Sequence, residues 1–234
     1  MYKIAAVARF ADANDKLGSR QRWAGGHAAL ARAVPGLARY TQSEVIGPLP
    51  HEADPEGVYS EDAQTSFDGY SSFWFPDRDA FVRASATPAW RALMADADDL
   101  FDVPWQETMS AAVEERVIVE GEPGPYKVVW ITRFKPELTK EEGHRYWEHV
   151  HGPIVRDAGI DRYVQNHVVG ALVTGAGENV PDFDGFSECW FADEQGFIDA
   201  LATPHWRRLH EDRHQIFDMA RMWCGALTQR VVIG

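Results

Sequence analysis

Cysteine is scarce: Cys189 and Cys224 are the only two in 234 residues, which excludes a disulfide framework and a cysteine-built metal quartet. Long hydrophobic runs are missing as well. No stretch approaches the ~20 apolar residues that span a bilayer, and no apolar run follows a basic start as in a secretion leader. A cytoplasmic protein that does not enter a membrane is expected. Positive charge is in short supply. With 23 Lys and Arg against 36 Asp and Glu, the net charge of −13 repels nucleic acid and anionic lipid. Phosphate-cradling glycine loops, a G-x-S-x-G elbow, a CxxC pair and a haem-attachment motif are also lacking.

Tryptophan, by contrast, is plentiful at nine residues, and the chain says the same thing twice. Tyr2, Lys3, Arg9 and Phe10 match Tyr126, Lys127, Arg133 and Phe134, and the same shift carries Trp23 onto Trp147 and His27 onto His151. Further on, Phe67-Asp68-Gly69-Tyr70 matches Phe183-Asp184-Gly185-Phe186, Trp74-Phe75 matches Trp190-Phe191, and Thr87-Pro88-Ala89-Trp90 matches Thr203-Pro204-His205-Trp206. The later shift is shorter because the first copy carries extra residues within 47–66. Two long copies exclude a solenoid. A duplicated domain is predicted, residues 1–121 and 122–234, joined by the Gly- and Pro-rich segment 120–125.

In the second copy, 126–134 alternates like a strand. Thr139 with Glu142 makes a capping box, so a helix is expected over 139–151, kinked or ended by Gly152-Pro153. Strands at 162–169 and 185–191, a short helix at 193–201, a longer one from Pro204 to about 222, and a strand at 226–232 follow. That order, β-α-β-β-α-β, is the ferredoxin-like arrangement, a sheet with helices on one face only. The bare face needs a second sheet, which the duplicate supplies. An α+β fold is therefore expected, with two ferredoxin-like repeats closing into one barrel, helices outside.

Tyr146-Trp147, His151-Gly152-Pro153 and the run 161–167 resemble the EthD family of dimeric α+β barrel proteins, as do 185–191 and Thr203-Pro204 with Trp206. The resemblance covers nearly all of 126–234. It is weaker over 2–119, where Trp23, His27, Tyr40, Gln42, Trp74 and Trp90 survive but His-Gly-Pro has become His27-Ala28-Ala29. Gly143 stands where the family pattern usually has a bulky apolar residue, which suggests room for a ligand. The resemblance implies a cleft between helices and sheet and no obligatory cofactor, although relatives of the barrel use a haem held by one axial histidine. It also implies cyclase, dehydratase, decarboxylase or oxygenase chemistry on phenolic, polyketide-like or lactone compounds, or an accessory role beside degradative oxygenases. Fold alone does not select among these.

The helix over 139–151 puts His144, Trp147 and His151 on one face, an imidazole stripe unlike an aliphatic core stripe. On the strand over 162–169, Tyr163, Gln165 and His167 share a face. The expected catalytic set is His151, His167, Tyr163 and Glu188, with a histidine as general base. Trp147, His144, Trp130, Arg133, Trp190 and Gly143 are the candidate substrate-binding residues. For each of these a bland alternative stands beside the functional one: a polar network bracing helix on sheet, aromatic core, and a strand-end arginine paired with an acid. The string His210-Glu211-Asp212-Arg213-His214 spells HExxH but lacks a downstream third ligand, so no metal is assigned and the two histidines are placed on a charged outer helix face.

These features point to a cofactor-independent lyase or isomerase-type enzyme working in the second repeat on a small hydrophobic, aromatic or polyketide-like molecule. Dehydration, decarboxylation, cyclisation and retro-aldol cleavage all fit. A non-catalytic binding protein and a cofactor-free oxygenase are the rivals. Either a monomer or a homodimer suits an internally closed barrel, and the acidic segment 48–66 is read as a lid or a solvated loop.

Overall fold

The computed structural model describes residues 1–53, 66–102, 109–174, 177–178 and 181–234. In the first half, β1 (Tyr2–Ala8), α1 (Lys16–Arg22), α2 (Ala28–Arg32), β2 (Arg39–Gly47), β3 (Gly69–Phe75), α3 (Arg78–Ser85), α4 (Pro88–Leu100) and β4 (Ser110–Val119) follow in order. The second half repeats them as β5 (Tyr126–Thr132), α5 (Lys140–Tyr146), α6 (Gly152–Val155), β6 (Arg162–Ala171), β9 (Gly185–Phe191), α7 (Glu194–Leu201), α8 (Pro204–Ile216) and β10 (Trp223–Ile233). A two-stranded hairpin, β7 (Val173–Thr174) and β8 (Gly177–Glu178), leads from β6 towards β9. The eight long strands close a barrel in the order β1-β3-β2-β10-β5-β9-β6-β4. Closure is edge to edge: β2 pairs with β10 and β4 with β6, both antiparallel, so each half lends an edge strand to the other. No sheet edge is left open in the barrel, which removes the aggregation hazard of unpaired strands.

The sequence explains the joints. Thr139 forms the capping box with Glu142, and Thr87 and Thr203 cap α4 and α8 just ahead of a proline whose missing N–H costs nothing there. Asp68 and Asp184 accept the backbone N–H of Phe10 and Phe134 at 2.9 and 2.8 Å, tying the start of β3 to the chain just past β1 and the start of β9 to the chain just past β5. The glycine after each aspartate is needed for close approach: a Cβ at Gly185 would lie 2.5 Å from the Trp147 ring.

Of the two outcomes expected at Gly152-Pro153, a kink or an end, the helix does not end there. A π-helical turn, Trp147–His151, joins α5 to α6, and Trp23–His27 does the same between α1 and α2. The Trp147 carbonyl accepts the Gly152 N–H and also the Gln165 Nε2 at 2.9 Å; Gln42 Nε2 bonds the Trp23 carbonyl at 2.8 Å. Because the first repeat makes the wide turn without a proline, the shared glutamine accounts for it better than Pro153 does. The wide turn points both Trp147 and His151, four apart, into the interior. Helix α8 also ends earlier than expected, at Ile216, because Phe217 leaves helical geometry and bridges to Phe134 as an isolated β pair.

Of segment 48–66, residues 54–65 lie outside the described residues. Just before them, Leu49 and Ala53 are buried in the core of the second half rather than the first. The repeats are thus interleaved by strand edges and by this crossing segment.

Candidate active site

The barrel interior holds a buried charge cluster. Lys3, Lys127 and Glu188 are 3%, 1% and 4% exposed. Glu188 forms ion pairs with Lys127 and, at 3.6 Å, with Lys3, and accepts the Tyr70 hydroxyl at 2.5 Å and the Asn166 amide at 2.9 Å. Trp74 and Trp190 stack over the two ammonium groups at 4.6 and 4.7 Å. Burial raises the Glu188 carboxyl, but the two lysines and the tyrosine outweigh it and keep the group well below the usual carboxylate range. For Lys127 burial dominates over the attraction of Glu188 and brings the ammonium down to about 8.

This placement corrects the expected set. Glu188 pairs across the sheet with Val164 and therefore faces the barrel interior, whereas Tyr163 and Gln165, bonded to Trp147, face the helices. Glu188 does not meet the histidines. Trp190 shares its face and stacks on Lys127 and Arg162, and is not among the residues lining the cavity described below. Gly143 leaves no ligand space either: its missing side chain makes room for the Phe134 ring. Arg133 is a strand-end brace, bonded to the Arg221 carbonyl and to Asp182 and stacked over Trp223 at 4.3 Å. Its counterpart Arg9 pairs with Asp102.

His167 and His144 also stand apart from the cavity described below. Their rings stack at 4.4 Å, with His167 lying on Trp147 at 5.0 Å. His144 Nε2 bonds the Asp184 carbonyl at 2.8 Å, and His167 Nε2 contacts the Gln165 amide oxygen at 3.0 Å. Burial, reinforced by the neighbouring His144, holds His167 down at about 3, and burial lowers His144 too. An imidazole that weakly basic is a poor general base at neutral pH. In the first repeat the same two positions carry Arg20 and Glu44, an ion pair at 3.3 Å. The interchange of a ring stack with an ion pair marks this position as a brace.

Between the helices and the sheet of the second half lies a cavity of about 70 Å³. Trp130, Trp147, His151 and Tyr163, expected at the site, line it; Trp206, His210, Arg213 and Cys189 join them. Trp206, His210 and Arg213 come from one stripe of α8, spaced four and three apart, and Phe217 follows just past its end. His210 lines the cavity and, with His214, Arg207 and Glu211, also an outer hollow, so it stands at the boundary between the cavity and the charged outer face on which both histidines were expected. Among the described residues no group of three or more potential ligands could hold a metal ion. Nor does a porphyrin suit the cavity, which is less than half the ~150 Å³ that accommodates benzene.

At the cavity wall, His151 Nδ1 is held by Asp212 at 2.7 Å, and the Tyr146 hydroxyl donates to the other Asp212 oxygen at 2.9 Å. Burial pushes the Asp212 carboxyl up, but these two hydrogen bonds hold it below its ordinary value. The carboxylate fixes the ring orientation and the tautomer with Nε2 unprotonated, as needed in a base. Tyr163 accepts the Trp147 indole N–H at 3.2 Å, and burial, with Cys189 beside it, raises its hydroxyl so that it stays protonated. Burial likewise keeps Cys189 a thiol.

A sequence model of the EthD domain matches residues 19–104 and again 135–220, more than half of the chain. The chain belongs to the EthD family. No curated protein matched this EthD chain in sequence. Among solved structures it is similar to an anthrone oxidase-like protein, at 8% identity over 99% of this chain and 93% of that one, TM-score 0.62. It is also similar to a candidate monooxygenase of Fusobacterium nucleatum subsp. nucleatum ATCC 25586, at 9% identity over 98% and 92%, TM-score 0.56. An ethyl tert-butyl ether d (ethd) family protein of Bacillus halodurans C-125 aligns at 19% identity over 45% of this EthD chain and 94% of its own, TM-score 0.34. The first two likenesses speak for the barrel fold. Among the described residues no helix is long and apolar enough to cross a membrane.

Proposed function

We propose that this EthD chain is a cofactor-independent acid–base enzyme, of lyase or isomerase type, acting in its second repeat on a small hydrophobic, aromatic or polyketide-like molecule. The supporting observation is the Asp212–His151 pair at the wall of a tryptophan-lined cavity. His151 Nε2 takes a proton from a carbon next to a carbonyl, or from a phenol. Asp212 stabilises the imidazolium that forms. Tyr163, with its phenol O–H intact, donates to the oxygen on which negative charge develops, and the same imidazolium returns the proton to the leaving group or to carbon. Dehydration, decarboxylation, cyclisation and retro-aldol cleavage each contain such a step. Trp130, Trp147 and Trp206 supply apolar faces against which the reacting end of the molecule packs, and keep water away.

The test is product formation from candidate phenolic and β-hydroxy-carbonyl compounds by wild type and by His151→Ala. Loss of turnover in the variant with ligand binding retained supports the assignment. Turnover unchanged by the substitution removes His151 from the mechanism. The apolar wall equally suits a binding protein, which would take up ligand stoichiometrically without product. Consumption of dissolved oxygen would instead mark a cofactor-free oxygenase, in which the same base forms a carbanion that oxygen traps.

A further inference from the structure

We infer that the Trp206 indole N–H is a binding donor for a ketone carbonyl that the substrate carries outward of its reacting end. This rests on the cavity being the substrate site proposed above, and it adds a second oxygen to the substrate. Trp206 is 7% exposed, and its Nε1 is buried without a hydrogen-bond partner. Other donors on the same wall are engaged. Trp147 gives its N–H to the Tyr163 oxygen at 3.2 Å, and Thr132 its hydroxyl to the Gly185 carbonyl at 3.0 Å. A buried N–H left unanswered has given up its hydration with nothing in return, and folded proteins rarely keep one without a use for it. Packing explains a large ring here, since Trp90 fills the same place in the first half against Phe73, Phe75 and Phe81. It gives no reason for the unanswered donor.

Trp206 also stands where a longer ligand would pass. It lines both the cavity of about 70 Å³ and the outer hollow of about 490 Å³. Its backbone N–H, bonded to the capping Thr203 at 3.2 Å, fixes it in the first turn of α8, and Trp130 and Phe197 hold its ring at 6.1 and 5.7 Å. The cavity alone is smaller than the ~150 Å³ that accommodates benzene, so the reacting end enters it and the remainder lies along Trp206 in the hollow. Asp212, which holds the base, follows Trp206 in the same helix, about 9 Å further along its axis at ~1.5 Å per residue. The carbonyl that Trp206 binds is therefore not the one beside the proton that His151 removes. The ligand class is an aromatic molecule with a reacting carbonyl or phenol at one end and a ketone towards the other.

The experiment compares 6-acetyl-2-naphthol with 6-isopropyl-2-naphthol, in which a methyl group replaces the carbonyl oxygen. Binding is followed by fluorescence titration and by the indole N–H signals of nitrogen-15-labelled protein, where the signal missing from Trp206→Phe identifies Trp206. Wild type is expected to bind the ketone about 3- to 10-fold more tightly, the gain expected for one neutral hydrogen bond. The Trp206 signal should move further downfield with the ketone than with its isopropyl analogue. Trp206→Phe keeps a ring and loses the donor, so it should erase the preference and leave the isopropyl compound within about twofold. Melting temperature and near-UV circular dichroism establish folding; if Trp206→Phe does not fold, Trp206→Met takes its place. Equal affinity of wild type for the two compounds, or a preference that survives loss of the indole, overturns the inference. Equal weakening of both compounds in the variant makes Trp206 a packing wall only and overturns it as well. Failure of wild type to bind either compound removes the cavity as an aromatic site and this inference with it. His151→Ala separates it from the catalytic proposal: the ketone preference should survive in that variant even though turnover does not.

Discussion

The two halves of this barrel share their strands, their wide helical turns and even their His–Asp pair, yet the cavity described above lies in the second. His27 Nδ1 contacts Asp96 at 2.8 Å just as His151 meets Asp212. Two differences separate the halves. Cys189 in the second half is Phe73 in the first, where the ring stacks on Tyr40 at 4.5 Å and packs against Trp90. Space left by the thiol in one half is filled by the phenyl in the other. Tyr146, the neutral donor to Asp212, is replaced by Arg22, whose guanidinium binds Asp96 at 2.6 Å. The Asp96 charge is spent on that arginine, and burial, with Arg22 adding to it, keeps His27 below its ordinary value. The His–Asp contact is therefore a piece of inherited scaffolding; what turns it into a candidate base is an open wall in front and a phenol instead of a cation behind.

The largest effect should come from testing the histidines against each other. His151→Ala is expected to lower kcat by about 10²- to 10⁴-fold, the usual contribution of a general base, while His27→Ala leaves kcat unchanged and only shifts the melting temperature. Equal losses would mean that both act through the scaffold. Next, Cys189→Phe writes the first half's plug into the second. Ligand binding in a fluorescence titration should fall by at least about 100-fold, with an overpacking cost of about 1–3 kcal/mol read from urea unfolding. Tyr146→Arg should then lower kcat by roughly tenfold with KM little changed, because a second cation on Asp212 disfavours the imidazolium.

The smallest effect is expected at the brace. His144→Arg with His167→Glu reproduces the Arg20–Glu44 pair and should leave stability at pH 7 within about 1 kcal/mol, whereas either single change leaves a buried charge unanswered and costs more. The double variant should also alter the acid limb of stability. His167 falls from 6.5 to about 3 on folding, so the native protein stays unprotonated where the unfolded chain takes up a proton. Its contribution is complete above about pH 6.5 and fades as the pH drops towards 3. Urea midpoints measured across that range should lose this slope in the double variant.

The internal repeat made the barrel legible, since a one-faced sheet duplicated on one chain has a single obvious way to cover itself. The helix stripe likewise showed Trp147 and His151 facing inward. Strand phase was where the reading slipped. Glu188 and Trp190 alternate with Ser187 and Cys189, and only the cross-strand register with Val164 tells which pair faces the helices. Arg213, His210 and Trp206 carried a readable signal, the inward stripe of α8, but the resemblance of the same segment to a zinc motif drew notice to its letters and away from its period. Gly143 misled for a different reason: a missing side chain opens space, and a neighbouring phenyl had already taken it.

The buried carboxylate between Lys3 and Lys127 has a genealogical consequence. Glu188 needs the Tyr70 hydroxyl from the other half, and its own half offers only Phe186 at the matching place. Two C-terminal halves brought together would bury two glutamates without a phenol for either, and two N-terminal halves, with Ser72 in place of Glu188, would bring phenols with no such acid to receive them. Whatever self-pairing ancestor this gene descends from, its two descendants have become left and right hands, and neither can clasp a copy of itself.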